Sequence, residues 1–281
     1  MPEEMSYGED YHYLPVTSLE SGNGHEIRPD VYGYTVQIVN IAMIGQPGQK
    51  GWVLVDAGMP HSAQAILDAV AERFGENSRP EGIVLTHGHF DHVGAVIELV
   101  EQWRVPVYAH ESELPYLTGK LAYEAPDPTV DGGLVAKMSM FFPSAPIQLG
   151  QHVHALPPDG SIPVLPDWRW IHTPGHTPGH ISLFRDRDRV LIAGDAFVTV
   201  KQESVYKVFT QEKEISGPPK YFTPDWESAR SSVAKLQALH PEAALTGHGL
   251  PMTGAELEEG LEALTGSFDE IAVPASGKYV Q

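Results

Sequence analysis

The sequence contains no cysteine. Disulfides, thiolate metal sites and cysteine nucleophiles are therefore excluded, and any transition metal must be held by histidine and carboxylate. Basic residues are scarce: 18 Lys and Arg stand against 37 Asp and Glu, a formal charge of −19. No basic stripe is available to neutralise phosphates, so a nucleic-acid partner is not expected, and an anionic membrane surface is disfavoured for the same reason. Long apolar runs are missing as well; nothing approaches the ~18–20 residues of a membrane span. The opening Met-Pro-Glu-Glu-Met offers neither the basic nor the apolar region of a secretory signal, so a cytoplasmic location is expected. What remains is ordinary globular material. The 281 residues are 42% hydrophobic and 20% charged, enough for one large buried core, and a single domain over 1–281 is the simplest reading.

Residues 1–30 are polar and punctuated by Gly and Pro, and read as an irregular lead-in. Dense β-branched residues from Tyr34 to Ile44 predict a strand, and Trp52-Val53-Leu54-Val55 a second that stops at Asp56. Ile66, Leu67, Val70 and Phe74 recur at helical spacing, as do Val93, Val96, Ile97, Val100 and Trp103. Short strands are expected at Ile83–Leu85 and at Val105–Ala109. A second set is expected around 152–156, 168–172, 181–184 and 190–193. Thr223 with Pro224 resembles a helix start, Ala243–Leu245 a last strand, and Thr253 with Glu256 a capping box for a last helix.

Chemistry concentrates in Thr86-His87-Gly88-His89-Phe90-Asp91-His92. Side chains two apart in an extended segment share a side, so His87 and His89 can grip one ion. Asp91 and His92, where the chain turns into a helix, can face a second. A further group, Thr173-Pro174-Gly175-His176-Thr177-Pro178-Gly179-His180, frames His176 between two Pro-Gly turns. His180 starts the next strand and reads as a histidine that supports the ligands without touching a metal; His172 reads as structural. Three apolar runs end in a polar residue: Val53–Val55 at Asp56, Leu191–Gly194 at Asp195, and Ala244–Gly247 at His248. Strand ends along one sheet edge are where layered α/β folds gather their sites.

This ordered set resembles the metallo-β-lactamase superfamily over about residues 34–250. The resemblance implies an α/β fold, the αββα four-layer sandwich. It implies that His87, His89 and His176 hold one metal, that Asp91, His92 and His248 hold the other, that Asp195 bridges them and that Asp56 supports the site. Two divalent ions per chain are expected, zinc first, with iron, manganese or cobalt suited to the same donors. Such a pair would turn a shared water into a metal-bridging hydroxide that attacks an ester, lactone or thioester carbonyl of a small-molecule substrate. Asp195 and Asp91 are the expected catalytic carboxylates, Asp91 also as a proton acceptor and donor.

The long Pro/Gly-rich stretch 118–150 reads mostly as loop and is a candidate lid, for which Met138, Met140, Phe141 and Phe142 would give an apolar inner face. A core position or a homodimer interface is the competing use of the same residues. Phe197, Tyr206 and Tyr221 are candidates for the substrate pocket, with a place in the aromatic core as the favoured role of each. Acyl-homoserine lactonases share the double His-Thr-Pro-Gly-His pattern, but many of them carry a tyrosine where this chain has Val198. Glyoxalase II enzymes add a helical domain with cationic glutathione contacts, whereas only Lys278 follows His248 here as a Lys or Arg. Two rivals remain: a persulfide dioxygenase-like enzyme using one iron, and a non-catalytic metal-stabilised module. The second conflicts with a full set of seven open His/Asp ligands, since structural zinc sites are closed and rich in Cys.

Overall fold

The computed structural model describes residues 4–132 and 134–280, and the chain divides into two compact units. The first comprises 1–123 and 143–166, the second 124–142 and 167–281.

In the first unit seven strands lie side by side in chain order: β1 (Gly24–Arg28), β2 (Val31–Val36), β3 (Val39–Ile44), β4 (Val53–Val55), β5 (Ile83–Val84), β6 (Val107–Ala109) and β7 (Val153–Ala155). β1 to β4 pair antiparallel; β4 to β7 pair parallel. Parallel strands covered on both faces need continuous apolar sequence, and every residue of β4 and β5 is buried. Helices α1 (Ala63–Phe74), α2 (Phe90–Val93) and α3 (Val96–Trp103) occupy the crossovers, followed by α4 (Leu114–Leu117). In α3, Val96, Ile97, Leu99, Val100 and Trp103 are buried, the stripe that helical periodicity predicts. The chain leaves β4, β5 and β6 at Asp56, at Leu85-Thr86 and at His110. These neighbouring ends form one edge of the sheet.

The second unit includes α5 (Leu134–Met138) and holds a five-stranded sheet in the order β12-β11-β10-β9-β8. Its strands are β8 (Arg169–His172), β9 (Ile181–Arg185), β10 (Val190–Gly194), β11 (Ala243–Thr246) and β12 (Met252–Thr253). Only β10 and β11 run parallel, so Asp195 and the Gly247-His248 pair emerge from adjacent strand ends. Three further helices follow or intervene: α6 (Val205–Thr210), α7 (Trp226–Gln237) and α8 (Gly254–Gly266), with α9 (Phe268–Ile271) after them. Ala229, Val233 and Leu236 of α7 and Leu257, Leu261 and Leu264 of α8 pack with Leu191, Phe197 and Phe268 in one buried cluster.

Several expectations are corrected. The strand expected from Tyr34 to Ile44 is a hairpin, because Gln37 takes a left-handed φ of 57° and reverses the chain without a Gly or Pro to signal it. The lead-in 1–30 is not wholly irregular, since β1 lies within it and pairs with β2. The strand at 153–155 joins the first sheet, not the later set, by pairing with β6. α7 is capped by Asp225, whose side chain accepts the Ser228 amide, and not by Thr223. The Thr253 side chain makes no cap hydrogen bond, so the expected capping box does not form.

The stretch 118–150 is divided between the units and contains three short helical turns as well as loop. Met138, Met140 and Phe141 are exposed, and Phe142 packs on Tyr221 and Phe222. In the second unit, this segment is tied to the chain's last residues. Asp127 accepts the Lys278 amide, and Asp131 accepts both Lys220 Nζ at 2.7 Å and the Ala275 amide at 2.8 Å. Burial pushes the Asp131 carboxyl up, but the Lys220 and Ala275 hydrogen bonds outweigh it and hold it below its ordinary value. Asp131→Ala is expected to cost about 1–3 kcal/mol in urea unfolding at neutral pH. Because the folded-state carboxyl is depressed, its contribution is full above the ordinary carboxylate range and vanishes as pH falls through the lowered value. The gap between variant and wild type should narrow in acid to the pH-independent backbone cost of alanine at a left-handed φ of 46°; a gap independent of pH would refute the ion pair's role.

Candidate metal centre

In the first unit, β5 runs out of sheet partners at Leu85 and delivers Thr86, His87 and His89 on an extended loop before α2 begins. His87 is completely buried, and Asp91, His92 and His89 are buried as well. The α2 backbone is locked to the exit of β4 by Ala57 N to His92 O at 2.7 Å and Gly94 N to Gly58 O at 2.8 Å. Asp56, at a left-handed φ of 62°, turns its carboxylate back into this loop. One oxygen accepts the Thr86 amide at 2.7 Å; the other accepts the Thr86 hydroxyl at 2.8 Å and His92 Nδ1 at 2.8 Å.

These bonds settle the histidine tautomers. A carboxylate only accepts, so His92 carries its proton on Nδ1 and its lone pair on Nε2. Thr86 spends its one hydroxyl proton on Asp56, so at 3.1 Å from His87 Nδ1 it must accept. His87 therefore also presents the Nε2 lone pair, and that nitrogen lies 3.1 Å from His89 Nδ1. Two imidazole nitrogens this close in a buried loop could hold one ion between them.

The second unit repeats the logic. Asp195 Oδ2 lies 3.4 Å from His176 Nε2 and 3.4 Å from His248 Nε2, with all three side chains buried. Thr223 donates its hydroxyl proton to Pro219 O at 2.8 Å and so accepts His176 Nδ1–H at 3.3 Å, leaving Nε2 to face the carboxylate. Sequence pattern makes Thr223 a helix cap; its contact with His176 spans 47 residues and leaves no local signal. His180 accepts the Asp195 amide on Nε2 at 2.9 Å. Its Nδ1–H continues to Thr173 Oγ1 at 2.9 Å, then Ser182 Oγ at 3.1 Å, then the Ala193 carbonyl at 2.9 Å. Both His180 nitrogens are thus engaged in placing Asp195. His248 is set by close packing: its carbonyl accepts the Thr246 hydroxyl at 2.7 Å. Gly249, at φ 97°, lies where a Cβ would come within 2.3 Å of Thr199 Oγ1.

Buried groups of a size to hold a metal ion draw on His87, His89, Asp91 and His92 in the first unit and on His176, Asp195 and His248 in the second. Imidazole and carboxylate donors with preset tautomers fit a borderline divalent cation. The pocket candidates fare differently. Phe197 is fully buried inside the helix–sheet core among apolar neighbours. Tyr206 stands exposed on α6, and Tyr221 is buried against Phe142 and Phe222. Val198 is bonded to Ser216 across a single β-bridge. His172 faces the Pro178 carbonyl at 2.9 Å, a structural contact as expected.

Residues 34–248 match the family described as the metallo-beta-lactamase superfamily. The chain is 53% identical over 260 residues to the probable metallo-hydrolase YflN of Bacillus subtilis (strain 168), covering 92% of this chain and 98% of that protein. It is 30% identical over 116 residues to the hydroxyacylglutathione hydrolase GloC of Haemophilus influenzae, covering 40% of this chain and 48% of that one. Among solved structures, TTHA1623 in a di-iron-bound form is 29% identical with a TM-score of 0.53, over 82% of this chain and 94% of that one.

Proposed function

Because this chain belongs to the metallo-beta-lactamase superfamily and has its fold, we propose that it is a two-metal hydrolase of esters, lactones or thioesters. The observation that carries the reading is the pair of buried donor sets. Asp56, Thr86 and Thr223 set the lone pairs of His92, His87 and His176 on Nε2, and Asp195 lies 3.4 Å from Nε2 of both His176 and His248. Following the family's order, His87, His89 and His176 are assigned to one ion and Asp91, His92 and His248 to the other, with Asp195 shared. When bound, such ions supply Lewis acidity toward a carbonyl and lower the pKa of a coordinated water.

The chain's own residues do the rest. Asp195 contributes the anionic charge that lets two cations sit close together. Asp56 and Thr86 hold His92 and His87 in the tautomers that expose Nε2. Asp91, buried on the first turn of α2, is assigned to return a proton to the leaving atom. Zinc is our first assignment; the di-iron form of TTHA1623 makes iron the alternative to test. A thioester preference draws support from GloC, but the single Lys278 after His248 supplies little charge for a glutathione carboxylate, so aryl esters and lactones stand beside it. A small-molecule substrate fits a chain without a basic stripe. No helix among the described residues is long and apolar enough to cross a membrane.

Purified full-length protein should be assayed for metal content and for turnover of lactones, aryl esters, thioesters and phosphodiesters. Two ions per chain, with carbonyl substrates preferred at least about tenfold over phosphodiesters, is the expected result. One iron per chain with oxygen consumption and no ester turnover would replace the proposal with a dioxygenase.

A further inference from the structure

A buried carboxylate and a half-buried phenol sit beneath the His-Gly-His loop of the first unit, and no part of the proposed ligand set accounts for them. The Glu113 side chain is completely buried at the end of the turn that follows β6, the third of the parallel strands at this edge. Its Oε2 accepts the Gly88 amide at 2.9 Å and also the Tyr123 hydroxyl. Gly88 N lies 3.1 Å from that same hydroxyl oxygen, so three groups share one small polar knot. The Tyr123 ring stacks on Tyr116 at 4.0 Å and meets the His89 ring edge-on at 4.7 Å. A Cβ on residue 88 would come within 2.5 Å of the Tyr123 oxygen and 3.1 Å of Leu117 Cδ2. Only glycine lets the loop descend this far.

Burying a carboxylate is costly unless its hydrogen bonds are made in full, so its presence here calls for a reason. The loop amide between two histidines is the group it holds most directly. We infer that Glu113 and Tyr123 are positioning residues for metal capture: Glu113 anchors the Gly88 amide, and Tyr123 fixes the plane of the His89 ring, so that His87 and His89 meet an ion already in register. This rests on the metal-binding reading above. Ordering the donor loop beforehand removes the entropy that a mobile loop would lose on binding, which raises affinity without a new ligand.

The sequence carries a faint signal. Like Val53–Val55 and Ile83–Leu85, the β6 run ends in polar residues, His110-Glu111-Ser112-Glu113. Nothing in sequence, however, singles out Glu113 over Glu111 or pairs it with Tyr123.

The test uses cobalt(II) as the probe on the full chain, with competition against a chelator and the visible ligand-field spectrum as readouts. Folding is checked by circular dichroism, and KM and kcat are measured on the best carbonyl substrate. Glu113→Ala should weaken cobalt binding about 10–100-fold and alter the spectrum. Glu113→Gln, whose amide oxygen can accept the same N–H and O–H, should recover most of the affinity. Tyr123→Phe should keep the ring against His89 but change the spectrum through the loosened Glu113, and lower kcat more than it raises KM. A folded Glu113→Ala protein with wild-type cobalt affinity and spectrum overturns the inference. If that variant does not fold, Tyr123→Phe decides, and an unchanged spectrum and affinity overturn it equally. Wild-type protein that takes up no cobalt, zinc, iron or manganese overturns instead the metal reading beneath it, which the variants alone do not touch.

Discussion

Asp195→Ala is expected to abolish hydrolysis, by on the order of a thousandfold or more in kcat/KM, and to loosen both metal sites together. Asp195 is the one carboxylate of the second unit's donor set, 3.4 Å from both His176 Nε2 and His248 Nε2. Removing it leaves that set with two neutral imidazoles and the proposed pair of cations with Asp91 as its one remaining carboxylate ligand, in a position only 2% exposed. His180→Ala is the control. It spares every proposed ligand and releases the Asp195 amide and the proton-ordered chain through Thr173 and Ser182, so a loss of about 10–100-fold is expected. Metal content and kcat/KM measured in parallel on both variants check the ranking. Equal losses would mean that His180 is a ligand, or that Asp195 is not.

Asp56→Ala is expected to have the largest effect on stability, about 3–5 kcal/mol in denaturant unfolding of the metal-free protein. Three buried donors converge on this side chain: the Thr86 amide, the Thr86 hydroxyl and His92 Nδ1–H. Alanine strands all three without water to replace it and adds the cost of a Cβ-bearing residue with no local hydrogen bond at φ 62°. Asp56→Asn separates the two effects. Asparagine tolerates the left-handed backbone and can still accept the Thr86 amide, but its NH2 faces groups that donate, so the His92 tautomer is no longer held. It should fold nearly as well as wild type while binding metal more weakly. Were Asp56→Asn as destabilised as Asp56→Ala, the carboxylate's charge rather than its geometry would be decisive.

Much of the site is legible in the amino-acid sequence, for a specific reason. Metal ligands must be histidine and carboxylate in a chain without cysteine, and buried strand ends announce themselves as apolar runs closed by one polar residue. His87, His89, Asp91 and His92 sit within six positions, and Asp56, Asp195 and His248 each close such a run. The partners that tune those ligands are not legible. Thr223 reaches His176 across 47 residues, and Thr173 belongs to a turn whose pattern marks only His176. Phe197 could be read as pocket or as aromatic core, and the segment after β10 carries it into the core with α7 and α8.

By itself the sequence determined the donor chemistry, the strongly acidic character, and the strands and helices whose periodicity is strong. Those properties depend on residue type and on neighbours within a few positions. Tertiary structure alone decided which nitrogen of His87, His92, His176 and His180 carries the lone pair, which strand joins which sheet, and that Glu113 rather than Glu111 lies buried under the loop. Each of these turns on a hydrogen bond or a packing contact between segments far apart in the chain, and such contacts leave no periodicity to read.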